Sequence, residues 1–323
     1  MRILIADSAS STREQGGAVW AVRQYVLGLQ RLGHFVHLAP RVEGEFDLVL
    51  NMSGILSPDV IAGIPIRVYL DLDPAFNQLW HDGGIDRRFD GHTHFVTVGQ
   101  AIGHKGCDVP TFGHDWIGTL PPVVLDEWPQ ANGIETNALT TVANFRSYGS
   151  IEHDGAHYGQ KVHSLRGVLG LPQRTRERFV LAMQVHPDDG RDLADLAGNG
   201  WELVDPRVVA GTADEYRRFV RGSRAEIGIA KSGYVAARCG WFSDRSACYL
   251  ASGRPVVAQD TGFPQFVPTG DGLLAFDDED GAVAAIDELR RDYAHHARAA
   301  RELAAAYFDS DLVLSRLLGN VGA

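Results

Sequence analysis

Three cysteines in 323 residues, Cys107, Cys239 and Cys248, are too few and too scattered for a disulfide framework, and none stands in a CxxC pair. Basic residues are also in deficit: Lys+Arg is 30 against 41 Asp+Glu, a formal net charge of -11. Such a chain is neither a general nucleic-acid coat nor a binder of anionic membranes, since both need a basic face. No apolar run approaches the roughly 18 residues of a spanning helix. The opening segment MRILIADSAS has no apolar stretch and cleavage site of the signal-peptide kind, and the expectation is a cytoplasmic protein. What the chain does have is length and apolar content: 323 residues, 45% of them hydrophobic, predict two domains with a core each.

Short β-branched runs alternate with helical patterns, which is how βα units of parallel sheets read. The first series has strands at Arg2 to Ala6, Phe35 to Ala39, Phe46 to Asn51, Ile66 to Leu72 and His94 to Val98, with a helix from Ala18 to Leu32. The pattern breaks at TLPPVVLDEWPQANGIETN, residues 119–137, an extended connector with three prolines. A second series follows, with strands at Leu139 to Phe145, Phe179 to Val185, Trp201 to Val204, Glu226 to Ala230, Pro255 to Gln259 and Leu273 to Phe276. The tail from Gly281 to Leu318 is helical with a break near Phe308 to Ser310. The reading is α/β, two Rossmann-like doubly wound domains facing a cleft: 1–130 on the acceptor side, 131–300 on the donor side, and 301–323 returning to the first. Ligands of such sheets bind beyond the carboxyl ends of the strands.

The segment GWFSDRSACYLASGRPVVAQDTGFPQFVPTGDGLLAF, residues 240–276, is the most informative. Ser243 or Asp244 caps a helix through Leu250, Gly253 ends it, and Asp260, Thr261 and Gly262 form the loop beyond the next strand. The free N–H groups of residues 244–247, with Arg245 and Ser246 in the first turn, make a site for an anionic group such as a diphosphate. LASGRPVVAQDTG and PTGDGLLAF, together with the opening strand, its QGGAVWAV loop and the LGHFVHLA return, resemble the nucleotide-sugar glycosyltransferases of the GT-B fold. The resemblance covers both halves. It implies a donor diphosphate on the helix N-terminus and a tail that crosses back. Many retaining members carry two glutamates separated by seven residues; here Gly240 and Cys248 stand at those positions, and Asp244 or Asp260 is left to supply an acceptor group.

Other candidates follow from strand ends. Lys231, after EIGIA, is placed to pair with phosphate, as is Arg238. The loop NFRSYGSIEHDGAHYGQK, residues 144–161, faces the donor phosphates in the resembling family, which makes Arg146, Tyr148 and Lys161 candidates and the loop a lid. In RVYLDLDPAF a period of two puts Asp71 and Asp73 on one face at the cleft mouth, as a general base or a stabiliser of an oxocarbenium-like state. His114 is a further candidate base. The first loop offers Asp7, Ser8, Arg13, Gln15 and the glycines Gly16 and Gly17, which admit close approach of the backbone to a ligand. A zinc site can be drawn from His92 and His94 with Cys107 or Asp115, but no recurring ligand spacing supports it, and no metal is expected.

The reading is a metal-independent glycosyltransferase that uses a nucleotide-diphosphate-sugar as co-substrate and needs no other cofactor. The acceptor is unassigned: a small molecule, a lipid-linked glycan or a protein, with nucleic acid disfavoured by the overall acidity. A sugar-nucleotide epimerase of the same fold and a catalytically degenerate nucleotide- or sugar-binding protein are the alternatives. A nicotinamide-dependent dehydrogenase is disfavoured because no GxGxxG follows the first strand.

Overall fold

The computed structural model describes residues 1–7 and 15–323. Six strands form the first sheet: β1 (Arg2–Ala6), β2 (Phe35–Leu38), β3 (Leu48–Met52), β4 (Ile66–Asp71), β5 (His94–Thr97) and β6 (Trp116–Gly118). Their order is β2-β1-β3-β4-β5-β6 and every pairing is parallel. With helices on both faces, the central strands are buried in near-continuous runs rather than alternating, as in LVLNM of β3, all of which is buried. The sixth strand was not expected from the pattern, since three residues are too short to show a period.

A second parallel sheet is built from β7 (Thr136–Asn144), β10 (Phe179–Gln184), β11 (Trp201–Val204), β12 (Ser223–Gly228), β13 (Val256–Gln259) and β14 (Leu273–Phe276), in the order β11-β10-β7-β12-β13-β14. A small antiparallel hairpin, β8 (Ile151–His153) and β9 (Ala156–Tyr158), interrupts the connection after β7. Strand order reverses between β1 and β3 in one sheet and between β7 and β12 in the other. Crevices open beyond the carboxyl ends at such points.

The tail forms three helices, Glu279–Arg291, Tyr293–Tyr307 and Ser310–Asn320, separated at Asp292 and at Phe308–Asp309. The last one crosses back to the first half. Its Leu314, Leu317 and Leu318 share a buried cluster with Val22, Tyr25 and Leu29 of the first helix, Gly16–Arg31. Among the described residues no helix is long and apolar enough to cross a membrane.

Candidate functional site

A cavity of about 510 Å³ lies where the two halves meet, at the switch point of the second sheet. The first half contributes the start of the Gly16–Arg31 helix and Leu72, which follows β4; the second contributes Asn144 at the end of β7, Lys161, Lys231 and the start of the Asp244–Ala251 helix. Two helix N-termini thus face one space, and both favour negative charge there. Ser243 is the N-cap of the second helix, yet its side chain makes no capping hydrogen bond.

Gly16 and Gly17 line the cavity, but the first thing they allow is contact between the halves. The Gly16 N–H donates to the Ala210 carbonyl at 3.1 Å, and a Cβ on Gly16 would lie 2.2 Å from the Thr212 carbonyl oxygen. Ser8 and Arg13 lie outside the described residues. Asp7 lines a second hollow, with Ser53 and Arg87, beyond the ends of β1 and β3; Leu72 borders both spaces.

The cations differ in what occupies them. Arg245 donates Nε to Glu226 Oε1 at 2.5 Å and Nη1 to the Val142 carbonyl at 2.9 Å. Burial opposes its charge, but Glu226, with Tyr216 and Asp244, outweighs burial and keeps the guanidinium protonated. Lys161 is buried and donates to the Ile229 carbonyl. Burial first, then the nearby charges of Arg245 and Lys231, holds its pKa well below the ordinary lysine value. Lys231 reaches across the boundary to Asp73, with Nζ 3.0 and 3.2 Å from the two carboxylate oxygens. Its ammonium also lies 4.3 Å from the ring centre of Tyr148 and about 5 Å from those of Phe76 and Tyr234. Burial lowers its pKa, and Asp73 works against that shift. Half-buried Asp244 lines the cavity, its carboxyl pushed up by burial and held back by Arg245.

Several expected residues are placed elsewhere. Asp71 does not project into the cleft beside Asp73: the strand ends at Asp71, so the period of two stops there. Its carboxylate is fully buried and accepts from Asn77 Nδ2 (2.6 Å), Gln78 Nε2 (2.9 Å), Thr97 Oγ1 (2.9 Å) and the Asp73 N–H (3.0 Å), which fixes the loop that carries Asp73. Arg146 turns from the cavity to Asp189 at 3.1 Å and Asp192 at 3.6 Å. His114 precedes β6, at the amino ends of the strands, and stacks on Phe95 with ring centres 3.8 Å apart. Ser246 is buried within its helix and is not part of the cavity wall.

Asp260, Thr261 and Gly262 stand behind the wall and brace it. Thr261 Oγ1 donates to the Trp241 carbonyl at 2.5 Å, the Thr261 carbonyl accepts from the Gly240 N–H at 2.8 Å, and Asp260 pairs with exposed Arg238 at 3.7 Å. His92 bonds Asn51 and the Phe89 carbonyl, and among the described residues no group of three His, Cys, Asp or Glu side chains is arranged to hold a metal ion.

The two positions that resemble the paired glutamates are both closed off. Gly240 has φ +76, and a Cβ there would lie 2.8 Å from the Ala101 backbone nitrogen of the first half. Cys248 is buried under Gln24, whose Nε2 lies 3.7 Å from the sulfur. Two site residues escaped the sequence reading. Glu226 carried a signal, since a lone acid within a strand's apolar run needs a buried cation as partner. Tyr234, whose hydroxyl donates to Asp73, carried none. Lysine number is a further pointer: the chain has only three, and two of them, Lys161 and Lys231, line the cavity.

Solved structures with this architecture cover the whole chain. An alpha-glucosyltransferase in complex with UDP-glucose and DNA containing an abasic site superimposes with a TM-score of 0.64 at 12% identity, covering 100% of this chain and 99% of that one. For sucrose-phosphate synthase from Thermosynechococcus elongatus the TM-score is 0.62 at 12% identity, covering 99% of each chain. HepE of Anabaena in complex with UDP-glucose gives 0.61 at 14% identity, covering 100% of this chain and 99% of that one. This chain has the GT-B fold. No family model matches the sequence, and no curated protein matches it either. The likeness is therefore one of structure. In the GT-B frame the cavity falls between the two Rossmann-like halves, and the Asp244–Ala251 helix points into it from the second.

Proposed function

We propose that the protein is a glycosyltransferase that moves a sugar from a nucleoside-diphosphate-sugar to an acceptor hydroxyl. The observation that carries this reading is the cavity itself: a helix N-terminus, Lys161, Lys231 and Arg245 converge at the switch point of the donor-side sheet. Neighbours of the same fold were solved with UDP or UDP-glucose, which supports a uridine donor.

The diphosphate is assigned to the N–H groups at the start of the Asp244–Ala251 helix and to Lys161 and Lys231, with Arg245 behind them. Asp244 is assigned to a hydroxyl of the ribose or the sugar. The bond from the sugar C1 to the phosphate oxygen breaks, the acceptor oxygen bonds to C1, and the acceptor proton passes to a base. Asp73, at the boundary of the halves, is assigned that role. The cations and N–H groups carry the charge of the departing diphosphate, so the reading needs no resident metal. The acceptor enters from the first half, by the hollow that meets the donor cavity at Leu72.

Calorimetry with UDP, GDP and dTDP tests the donor site. Binding of at least one is expected, weakened by Lys161→Met roughly tenfold or more for a lost charge-assisted contact. Failure to bind any of the three overturns the reading. Gly240 and Cys248 favour a second one, a binding protein without turnover: nucleotide would bind while no nucleoside diphosphate is released from the donor. Conversion of the donor sugar without that release would identify an epimerase.

A further inference from the structure

Among the described residues, the ion pair between Asp73 and Lys231 differs from the other charge pairs described at the cavity because its two members belong to different halves. Arg245 and Glu226 both sit in the second half, and Lys161 bonds a carbonyl of its own half. Asp73 follows β4 of the first sheet, whereas Lys231, Tyr148 and Tyr234 all follow strands of the second. The Asp73 carboxylate receives both phenol hydroxyls in addition to the ammonium. Burial, and after it the charge of Asp73, pushes both phenols above their usual pKa, so they stay protonated as donors. Phe76 and Trp80 of the first half pack against the Tyr148 ring at 5.0 and 4.6 Å.

Among the described residues the halves touch in two zones of different character. On one side Trp20 of the first helix lies in an apolar cluster with Trp128, Tyr216 and Phe242, and the Gly16 N–H bonds the Ala210 carbonyl. On the other the Asp73 cluster stands beside a backbone contact in which the Ala101 N–H donates to the Cys239 carbonyl at 2.9 Å. The apolar zone borders the cavity as well, yet its cluster holds no ion pair for a ligand to exchange. The ionic one does, and Lys231 of that pair lines the cavity. A phosphate group at Lys231 competes directly with the Asp73 carboxylate, which offers the same ammonium the same charge-assisted hydrogen bonds.

We propose that Asp73, Lys231, Tyr148 and Tyr234 form a latch between the halves, with Asp73 standing in for a ligand phosphate, and that an anionic ligand takes Lys231 and releases Asp73. Resting on the glycosyl-transfer reading, this adds an order of events to it: donor binding frees the carboxylate assigned to the acceptor. The latch in the free protein is independent of that reading.

Hydrogen exchange resolved at single amides tests it without turnover. The Ala101 amide reports the latch side, the Gly16 amide the apolar side, and the β3 amides the integrity of the fold. In Asp73→Asn the Ala101 amide is expected to exchange at least about tenfold faster, with Gly16 and β3 unchanged. Sodium pyrophosphate added to the unaltered protein is expected to speed the same amide, and it requires no variant to fold. Ala101 protection unchanged by Asp73→Asn removes the latch. Equal acceleration of Gly16 and Ala101 means general loosening and also overturns it. An effect of the substitution without an effect of pyrophosphate removes the exchange step, and calorimetry with nucleotides decides the donor reading separately.

Discussion

Lys161 shows what a single buried cation implies for binding. Its ammonium has no carboxylate partner among its hydrogen bonds, only the Ile229 carbonyl, and Arg245 and Lys231 stand near enough to disfavour its charge. Burial comes first among the causes that hold its pKa well below 10.5. The deprotonated form is therefore favoured by folding, and Lys161 costs stability at neutral pH. That cost shrinks as pH rises and is gone above the unfolded value of 10.5, where both states are neutral. A diphosphate beside it reverses the local field and raises the pKa again. At a pH between the lowered free value and the raised bound one, binding of UDP is then expected to take up a proton, and affinity is expected to fall as pH rises across that window. Calorimetry at one pH in two buffers of different ionisation enthalpy measures this directly: the binding enthalpies are expected to differ in the sense of proton uptake. With Lys161→Met the difference should vanish, and equal enthalpies in the unaltered protein would exclude the linkage.

At the scale of elements, much of the fold was legible because buried parallel strands write themselves as short apolar runs. Residues that sit outside such runs were less so. The hairpin in the loop after β7 carried one legible mark, Asp154-Gly155, the strongest kind of two-residue turn signal, and both residues adopt positive φ, 47° and 76°. Its strands are three residues each and polar, IEH and AHY, so no apolar alternation marks them. The glycines at the start of the first helix are expected to give a ligand room; both line the cavity, and the absence of a side chain at Gly16 also admits the backbone of the second half. Gly16→Ala tests this use. Its Cβ would meet backbone atoms of Thr212 and Ala210, at 2.2 and 2.7 Å, which cannot swing aside as a side chain would. A loss of about 1–3 kcal/mol is expected for such overpacking, measured by urea unfolding. The exchange of the Gly16-side contacts should rise with it. Unchanged stability would mean that the halves are not seated through this helix.

For the whole molecule, the sequence carried the two-sheet plan but not which groups meet across it, because the partners lie far apart in the chain: Asp73 and Lys231 are separated by 158 positions. No local period encodes a contact of that kind. The tail is the exception, since an amphipathic helix without a partner of its own must cover something. What it covers is the first half, where Leu314 is fully buried over Gly28 of the first helix, among Val22, Tyr25 and Leu29. The first sheet therefore has part of its core supplied from the far end of the chain. Leu314→Ala removes that filling and is expected to cost about 2–5 kcal/mol, the range for emptying a buried leucine site. The loss should be uneven, because the second sheet draws its core from other residues, including Phe179, Leu181 and Ile286. Hydrogen exchange by mass spectrometry is expected to show β1 and β3 amides opening earlier in Leu314→Ala while β7 and β10 keep their protection. If all four strands lose protection together, the two halves unfold as one unit, and the returning helix stabilises the molecule as a whole rather than its first half.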